Sequence, residues 1–328
     1  MRKIALDADP GVADALTVAF ALFDPDVEVV AATSVGGLVD SETSARNLQS
    51  LVAFLNPPRL PRVGVEYGAE SETKNKNRND YTKIKAASNA SDSSFFNDFG
   101  GYTLPVVDRF APRSAASILR DAVRSHPRET SILALGPLTN VARAFRRDPE
   151  LPFLLHRLVV AGGGVPFEYP TNATEFNILD DISAARFVFQ APCAKTFVPI
   201  DAVADLVFSF DDLRSLEPRD EEPGWGVGEF FRRSLLEILR ARRRTQGSEV
   251  VYLQEFAAYF ALVAPRFFST VEARSVDEIC GNASKRPSAA DRRPDVEIVR
   301  RVDADAVRQK ILDGLRKIAE SSQTPFSR

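Results

Sequence analysis

Lys3-Ile4-Ala5-Leu6-Asp7-Ala8-Asp9-Pro10-Gly11-Val12-Ala13-Asp14 is the stretch from which the fold is read. An apolar run of strand type ends in acidic side chains, is broken by a Pro-Gly turn, and passes into the helix-forming run Ala15 to Leu22. That pattern describes a β-strand delivering carboxylates to the mouth of a helix. Clustered oxygen ligands suit a hard divalent cation, and open α/β sheets place their ligand sites at the carboxyl ends of the strands. The chain therefore opens with a candidate metal site.

Working outward, apolar strand-like runs alternate with helix-period segments over the next two hundred residues or so, the pattern of a parallel sheet with crossover helices. Strands are expected at Ile4 to Asp7, Val27 to Thr33, Ser131 to Leu135, Leu158 to Ala161 and Thr196 to Ile200. Ala45, Leu48, Leu51, Val52 and Leu55 share one helical stripe, and Ala115, Ile118, Leu119, Ala122 and Val123 share another; both read as core faces. A mostly parallel open sheet flanked by helices, in a single domain over residues 1–320, is the expected fold, with 321–328 a tail. Residues 68–94, rich in Asn, Ser, Lys and Asp, read as a flexible insertion loop, either a lid or a plain surface excursion. Residues 281–295 read as a polar connector before a strand at Val296 to Val302 and a closing helix at Ala304 to Glu320. Phe230 to Arg244 forms a basic amphipathic helix, whose terminal arginines suit either an anion or a solvated face complementing the helix dipole.

The chain of 328 residues is 44% hydrophobic and 27% charged, enough to bury a large core. A net charge of −3 supplies no basic field for a phosphate backbone, so nucleic acid is not an expected partner. Cys193 and Cys280 stand alone, without metal-ligand spacing, as in a reducing compartment. With no uncharged run of membrane-spanning length and no cationic leader, a cytoplasmic protein without membrane attachment is expected.

Asp-x-Asp after an apolar strand also opens the haloacid dehalogenase-type phosphatases, with Asp180-Asp181 available as a second acidic pair. Three further segments decide against that reading: Leu135-Gly136-Pro137-Leu138-Thr139-Asn140, Thr174-Glu175-Phe176-Asn177 and Gln254-Glu255-Phe256-Ala257-Ala258. In this order, with Pro10-Gly11, they resemble the nucleoside hydrolase family, the calcium-dependent ribohydrolases of the inosine-uridine-preferring type. The resemblance runs from Met1 to about Leu262.

It implies hydrolysis of the N-glycosidic bond of a nucleoside or related riboside, with a bound Ca2+. Asp9 then matches the general base and a calcium ligand, Asp14 a second ligand, Leu135 a ligand through its backbone carbonyl, and Glu255 the last acidic ligand, one methylene longer than the family's Asp. Glu175 and Asn177 match residues that hold ribose hydroxyls, with Phe176 between them. Asp7 supports the metal ligands from behind, or simply caps the turn that follows. A homodimer or homotetramer is implied as well.

The chain departs from the family pattern at Ala13 and Leu38, where an Asp and an Asn are usual, and at Tyr169, where a sugar-binding Asn is expected. Gln254 replaces a histidine that could protonate the leaving base, and Gln254 cannot act as an acid near neutral pH. Tyr169 and Tyr252 are the tyrosines nearest the motifs. His126, in a Ser-His-Pro turn, and His156, before a strand, lie outside every motif and read as structural. The alternative is a relative that binds metal and riboside without turnover.

Overall fold

The computed structural model describes residues 1–37, 39–66, 104, 113–162, 176–216, 227–273, 276–280 and 295–321. The expected loop 68–94 and nearly all of the connector and the tail lie outside them. The amino-terminal part runs β1 (Arg2–Ala8), α1 (Val12–Phe23), β2 (Val27–Ser34), α2 (Ser41–Leu55) and β3 (Arg62–Gly64). It continues through α3 (Ala115–Ser125), β4 (Thr130–Ala134), α4 (Thr139–Arg147), α5 (Leu151–Leu154), β5 (Arg157–Ala161), α6 (Phe176–Asp180), α7 (Ile182–Gln190) and β6 (Lys195–Val198). The remainder holds β7 (Val207–Ser209), α8 (Phe210–Arg214), α9 (Val227–Gln246), β8 (Val250–Tyr252), α10 (Gln254–Val263), β9 (Phe268–Glu272), α11 (Val276–Ile279), β10 (Val296–Val302) and α12 (Ala304–Ser321).

Eight strands form one sheet in the order β3-β2-β1-β4-β5-β6-β10-β9. Each neighbouring pair is parallel except β10 and β9. This is the mostly parallel α/β sheet expected of the sequence. Alternation along β1 explains the two layers: Ile4, Leu6 and Ala8 pack with Leu16 of α1, Leu48 of α2, Tyr259 of α10 and Val307 of α12. Ala5 points the other way, into a core shared with Ile118 of α3, Val141 of α4 and Val188 of α7. A strand covered on both faces must be apolar throughout, which is why the acids of this stretch come only at its end.

Two expected strand ends fall outside their strands. Leu135 falls just past β4, and β6 stops at Val198 because Pro199 has no N–H for the ladder and Ile200–Val203 turn into a 3-10 helix. The short β7 and β8 form a separate antiparallel ribbon. Among the described residues no helix is long and apolar enough to cross a membrane.

The packing of α1 against α10 matters for the site. The Phe20 ring of α1 meets Phe256, Tyr259 and Phe260 of α10 edge-on, with centroids 5.4, 5.6 and 5.8 Å away. Such edge-to-face contacts hold two helices in fixed relation. Their first turns carry Asp14 and Glu255.

Candidate active site

From β1 the chain moves to β2 and β3 on one side; it then crosses to β4 and runs through β5 and β6 on the other. The order reverses between β1 and β4, and a crevice opens above the carboxyl ends of such a strand pair. Asp7 and Asp9 lie at the end of β1, and Leu135 just past the end of β4. The two strand ends are tied together by the Leu135 N–H donating to the Asp7 carbonyl at 2.8 Å, and β2 is tied in by Val35 N–H donating to the Ala8 carbonyl at 2.9 Å.

Asp7 is almost fully buried. Its Oδ1 accepts from Thr33 Oγ1 at 2.7 Å and Asn140 Nδ2 at 2.9 Å. Its Oδ2 is buried without a hydrogen-bond partner. Burial pushes the carboxyl up to about 7; the Asn140 and Thr33 bonds oppose that rise and the Asp9 charge adds to it. Asn140 Nδ2 also donates to the Ser34 carbonyl at 2.8 Å, so this one amide clamps β1 to β2 from the start of α4.

Asp9 is buried beneath two glycines. A Cβ on Gly136 would come within 2.6 Å of Asp9 Oδ1, and one on Gly37 would overlap Asp9 Oδ2. The bare backbone at both positions lets the carboxylate lie flat between the loops after β2 and β4. The Pro10-Gly11 turn is held by Asn47 of α2, which donates from Nδ2 to the Pro10 carbonyl at 3.0 Å.

Asp14, buried at the start of α1, hydrogen-bonds the Asp9 side chain and backbone amide. Burial raises its pKa well above the ordinary carboxylate range, and the charges of Asp9 and Glu255 raise it further. Glu255 is raised as well, by burial. Thus Asp14 feels the charges of both Asp9 and Glu255. Among the described residues, no three His, Cys, Asp or Glu side chains form a ready metal cage. The donor chemistry nevertheless fits a hard cation: a buried carboxylate raised by neighbouring acids gains most from a divalent positive charge.

On the far side, Asn177 of α6 donates from Nδ2 to the carbonyls of Leu135, at 2.6 Å, and Ala161, at 3.3 Å. The residue that the resemblance assigns to ribose therefore also touches the carbonyl that it assigns to calcium. Asp181 caps α7 and accepts from Thr139 Oγ1 at 2.9 Å, fastening α6 and α7 to the start of α4. Gln254, buried at the head of α10, donates to the Val198 carbonyl at 3.2 Å. Phe176 opens α6, whereas Leu38, Tyr169 and Glu175 lie outside the described residues.

His126 ends α3, and its carbonyl accepts from Glu129 and Thr130. The His156 N–H donates to the Thr130 carbonyl at 2.9 Å. Both are backbone fixtures at the amino ends of β4 and β5, opposite the acids. Sequence reading gave no role to Thr33, Asn47 or Asn140. Asn140 closes the Gly-Pro-Leu-Thr-Asn segment and could have been found there; Thr33 and Asn47 sit in ordinary strand and helix patterns that carry no such signal.

Residues 4–309 match the family described as inosine-uridine preferring nucleoside hydrolase. The chain is 29% identical over 275 residues to uridine nucleosidase 1 of Arabidopsis thaliana, covering 82% of this chain and 76% of that protein. It is 34% identical over 200 residues to a pyrimidine-specific ribonucleoside hydrolase of Salmonella enteritidis, 60% of each chain. Its structure resembles a plant nucleoside hydrolase with a TM-score of 0.75 and 25% identity, covering 96% of this chain and 99% of that one. A purine-preferring ribonucleoside hydrolase from Gardnerella vaginalis shares the fold at a TM-score of 0.76 and 20% identity, covering 98% of this chain and all of that one. With the acids of β1, α1 and α10 gathered at the strand crossover, and with this match over nearly its whole length, the chain belongs to the inosine-uridine preferring nucleoside hydrolases, a family of N-glycosyl hydrolases.

Proposed function

We propose that this protein hydrolyses the N-glycosidic bond of ribonucleosides with the help of Ca2+. The observation that carries the reading is the crowding of acids around Asp14, which is buried at the head of α1, hydrogen-bonded to Asp9 beyond the end of β1, and raised in pKa by burial and by the charges of Asp9 and Glu255. Asp9, Asp14, Glu255 and the Leu135 carbonyl would hold the cation. When bound, calcium supplies charge that acidifies water and binds sugar hydroxyls.

Asp9 takes the proton of the attacking water, its position fixed by the glycine backbone on either side. Asp7 braces the end of β1 through Thr33 and Asn140, which keeps the Asp9 backbone in place. On the family resemblance, Glu175 and Asn177 hold the ribose hydroxyls as the sugar flattens toward an oxocarbenium ion, and Phe176 and Tyr169 are further candidate substrate contacts. Gln254 contributes a neutral contact and no proton. The proposal extends to a homodimer or homotetramer, on the family resemblance, and to a cytoplasmic location, on the two isolated cysteines.

The test is base release from a nucleoside panel, with added calcium and with chelator. Turnover that chelator abolishes, and that Asp9→Asn lowers at least about 1,000-fold, is expected. Saturable nucleoside binding by calorimetry without base release would replace this reading with a riboside-binding protein.

A further inference from the structure

Helix α9 is rich in arginine, and most of that charge is already matched. Arg232 and Arg233 pair with Glu229, Arg240 with Glu237, and Arg243 with Glu249. Arg242 differs. It is half-buried, no carboxylate among the described residues pairs with it, and its Nε is buried without a hydrogen-bond partner. Its guanidinium lies over the Tyr252 ring, 5.1 Å from the centroid. Burial lowers its pKa, yet a guanidinium starts so high that it stays charged. A half-buried cation held on an aromatic face, with no carboxylate among the described residues to neutralise it, is set to meet an electron-rich group.

Its position suits the reaction. Val251 and Leu253 enter the core, so Tyr252 faces the other way along β8. β8 leads directly into Gln254 and Glu255 at the head of α10, and Leu253 is bonded to Leu206, beyond the carboxyl end of β6. The β7–β8 ribbon thus stands on the same rim as the acids. Only Leu253 and Gln254 lie between Tyr252 and Glu255, three Cα-to-Cα steps or about 11 Å at most, comparable to one nucleoside.

We propose that Arg242, braced on Tyr252, is the specificity-determining residue for the departing base, favouring oxo-bases such as uracil or hypoxanthine over the amino base adenine. This rests on the nucleoside hydrolase reading above. Water forms its bond to C1′ and gives a proton to Asp9. The C1′–N bond breaks, and its electron pair stays on the base, where ring carbonyls spread the charge toward the guanidinium. The base takes a proton from solvent after it leaves. A fixed cation thereby does for an anionic leaving group what an imidazole acid does by protonation, and Gln254 can remain neutral.

The experiment measures kcat/KM in calcium for uridine, inosine, adenosine and p-nitrophenyl riboside, whose leaving group is stable as an anion without help. Arg242→Gln is expected to lower the uridine and inosine values about 100-fold. The p-nitrophenyl riboside value should change less than about threefold, and Arg242→Lys should recover part of the loss, since it restores the charge without the fork. If Arg242→Gln does not fold, Tyr252→Leu, at a surface position, removes the brace and should give the same split more weakly. Equal losses on all substrates, or no loss on any, overturn the proposal. A wild-type protein that cleaves none of them, p-nitrophenyl riboside included, overturns the hydrolase reading instead.

Discussion

Two glycines pack directly on the Asp9 carboxylate, so small changes around it act on chemistry before stability. A methyl group at Gly37 would meet chiefly the end of the Asp9 side chain, which can swing away. Gly37→Ala is therefore expected to lower kcat/KM at least about 100-fold through misplacement of the base, with little change in the urea midpoint. Asn140→Ala should behave in the opposite way. It strips a donor from both Asp7 Oδ1 and the Ser34 carbonyl, leaving buried acceptors short, at a cost of about 2–4 kcal/mol in urea unfolding. At this scale Asp7, Asp9 and Asp14 stood out because carboxylates interrupt an apolar run, whereas Glu255 stood out only through the family resemblance. Thr33 did not, because a threonine at a strand's end is chemically ordinary until its neighbour is known.

Helices and strands differ in how openly the sequence states them. The long helices and the core strands were legible from their periodicity, and β10 matches its expected span. β3, β7 and β8 have three residues each, too few for a period to show. β9 is an exposed antiparallel edge with Ser and Thr in place of an apolar run.

Two predictions belong at this level. Gly314 of α12 lies against the Phe20 ring, and a Cβ there would overlap the ring edge. Replacing a helical glycine with alanine usually gains up to about 1 kcal/mol. Gly314→Ala should instead destabilise by about 1–3 kcal/mol in thermal or urea unfolding, since Phe20 is enclosed by α10. The second concerns Asp148 at the end of α4, bonded by Arg124 of α3 at 2.5 and 2.7 Å. The Arg124 bond holds the Asp148 pKa below the ordinary value. A depressed folded pKa stabilises above the unfolded value and loses that effect as pH falls through the folded one. The melting temperature of Asp148→Asn should therefore lie below wild type at pH 7, and the gap should close as the solution is acidified below about pH 4.

For the molecule as a whole, a ligand that binds only the folded chain adds to its stability by mass action. At free calcium about 100 times its dissociation constant, the gain is about 2.7 kcal/mol, or roughly 5 °C in melting temperature for a chain of this size. Wild type should show that rise and Asp14→Asn should not; a wild type indifferent to millimolar calcium and to chelator would argue against the cation. The whole sheet was legible as a class, because alternating strands and helices admit few arrangements. Its strand order was not, since nothing local in Lys3 to Asp7 says that β4 will be the second neighbour.

That order sets a timetable for the growing chain. β1 lies between β2 and β4, with Lys3 opposite Thr130 and Asp7 opposite Ala134. During synthesis the acids at its end have no second wall until a strand made far later arrives, and closing so long a loop is slow. Active-site assembly is then one of the last events of folding, so a refolding chain should regain activity and its full melting transition at the same rate, with no early species able to do chemistry.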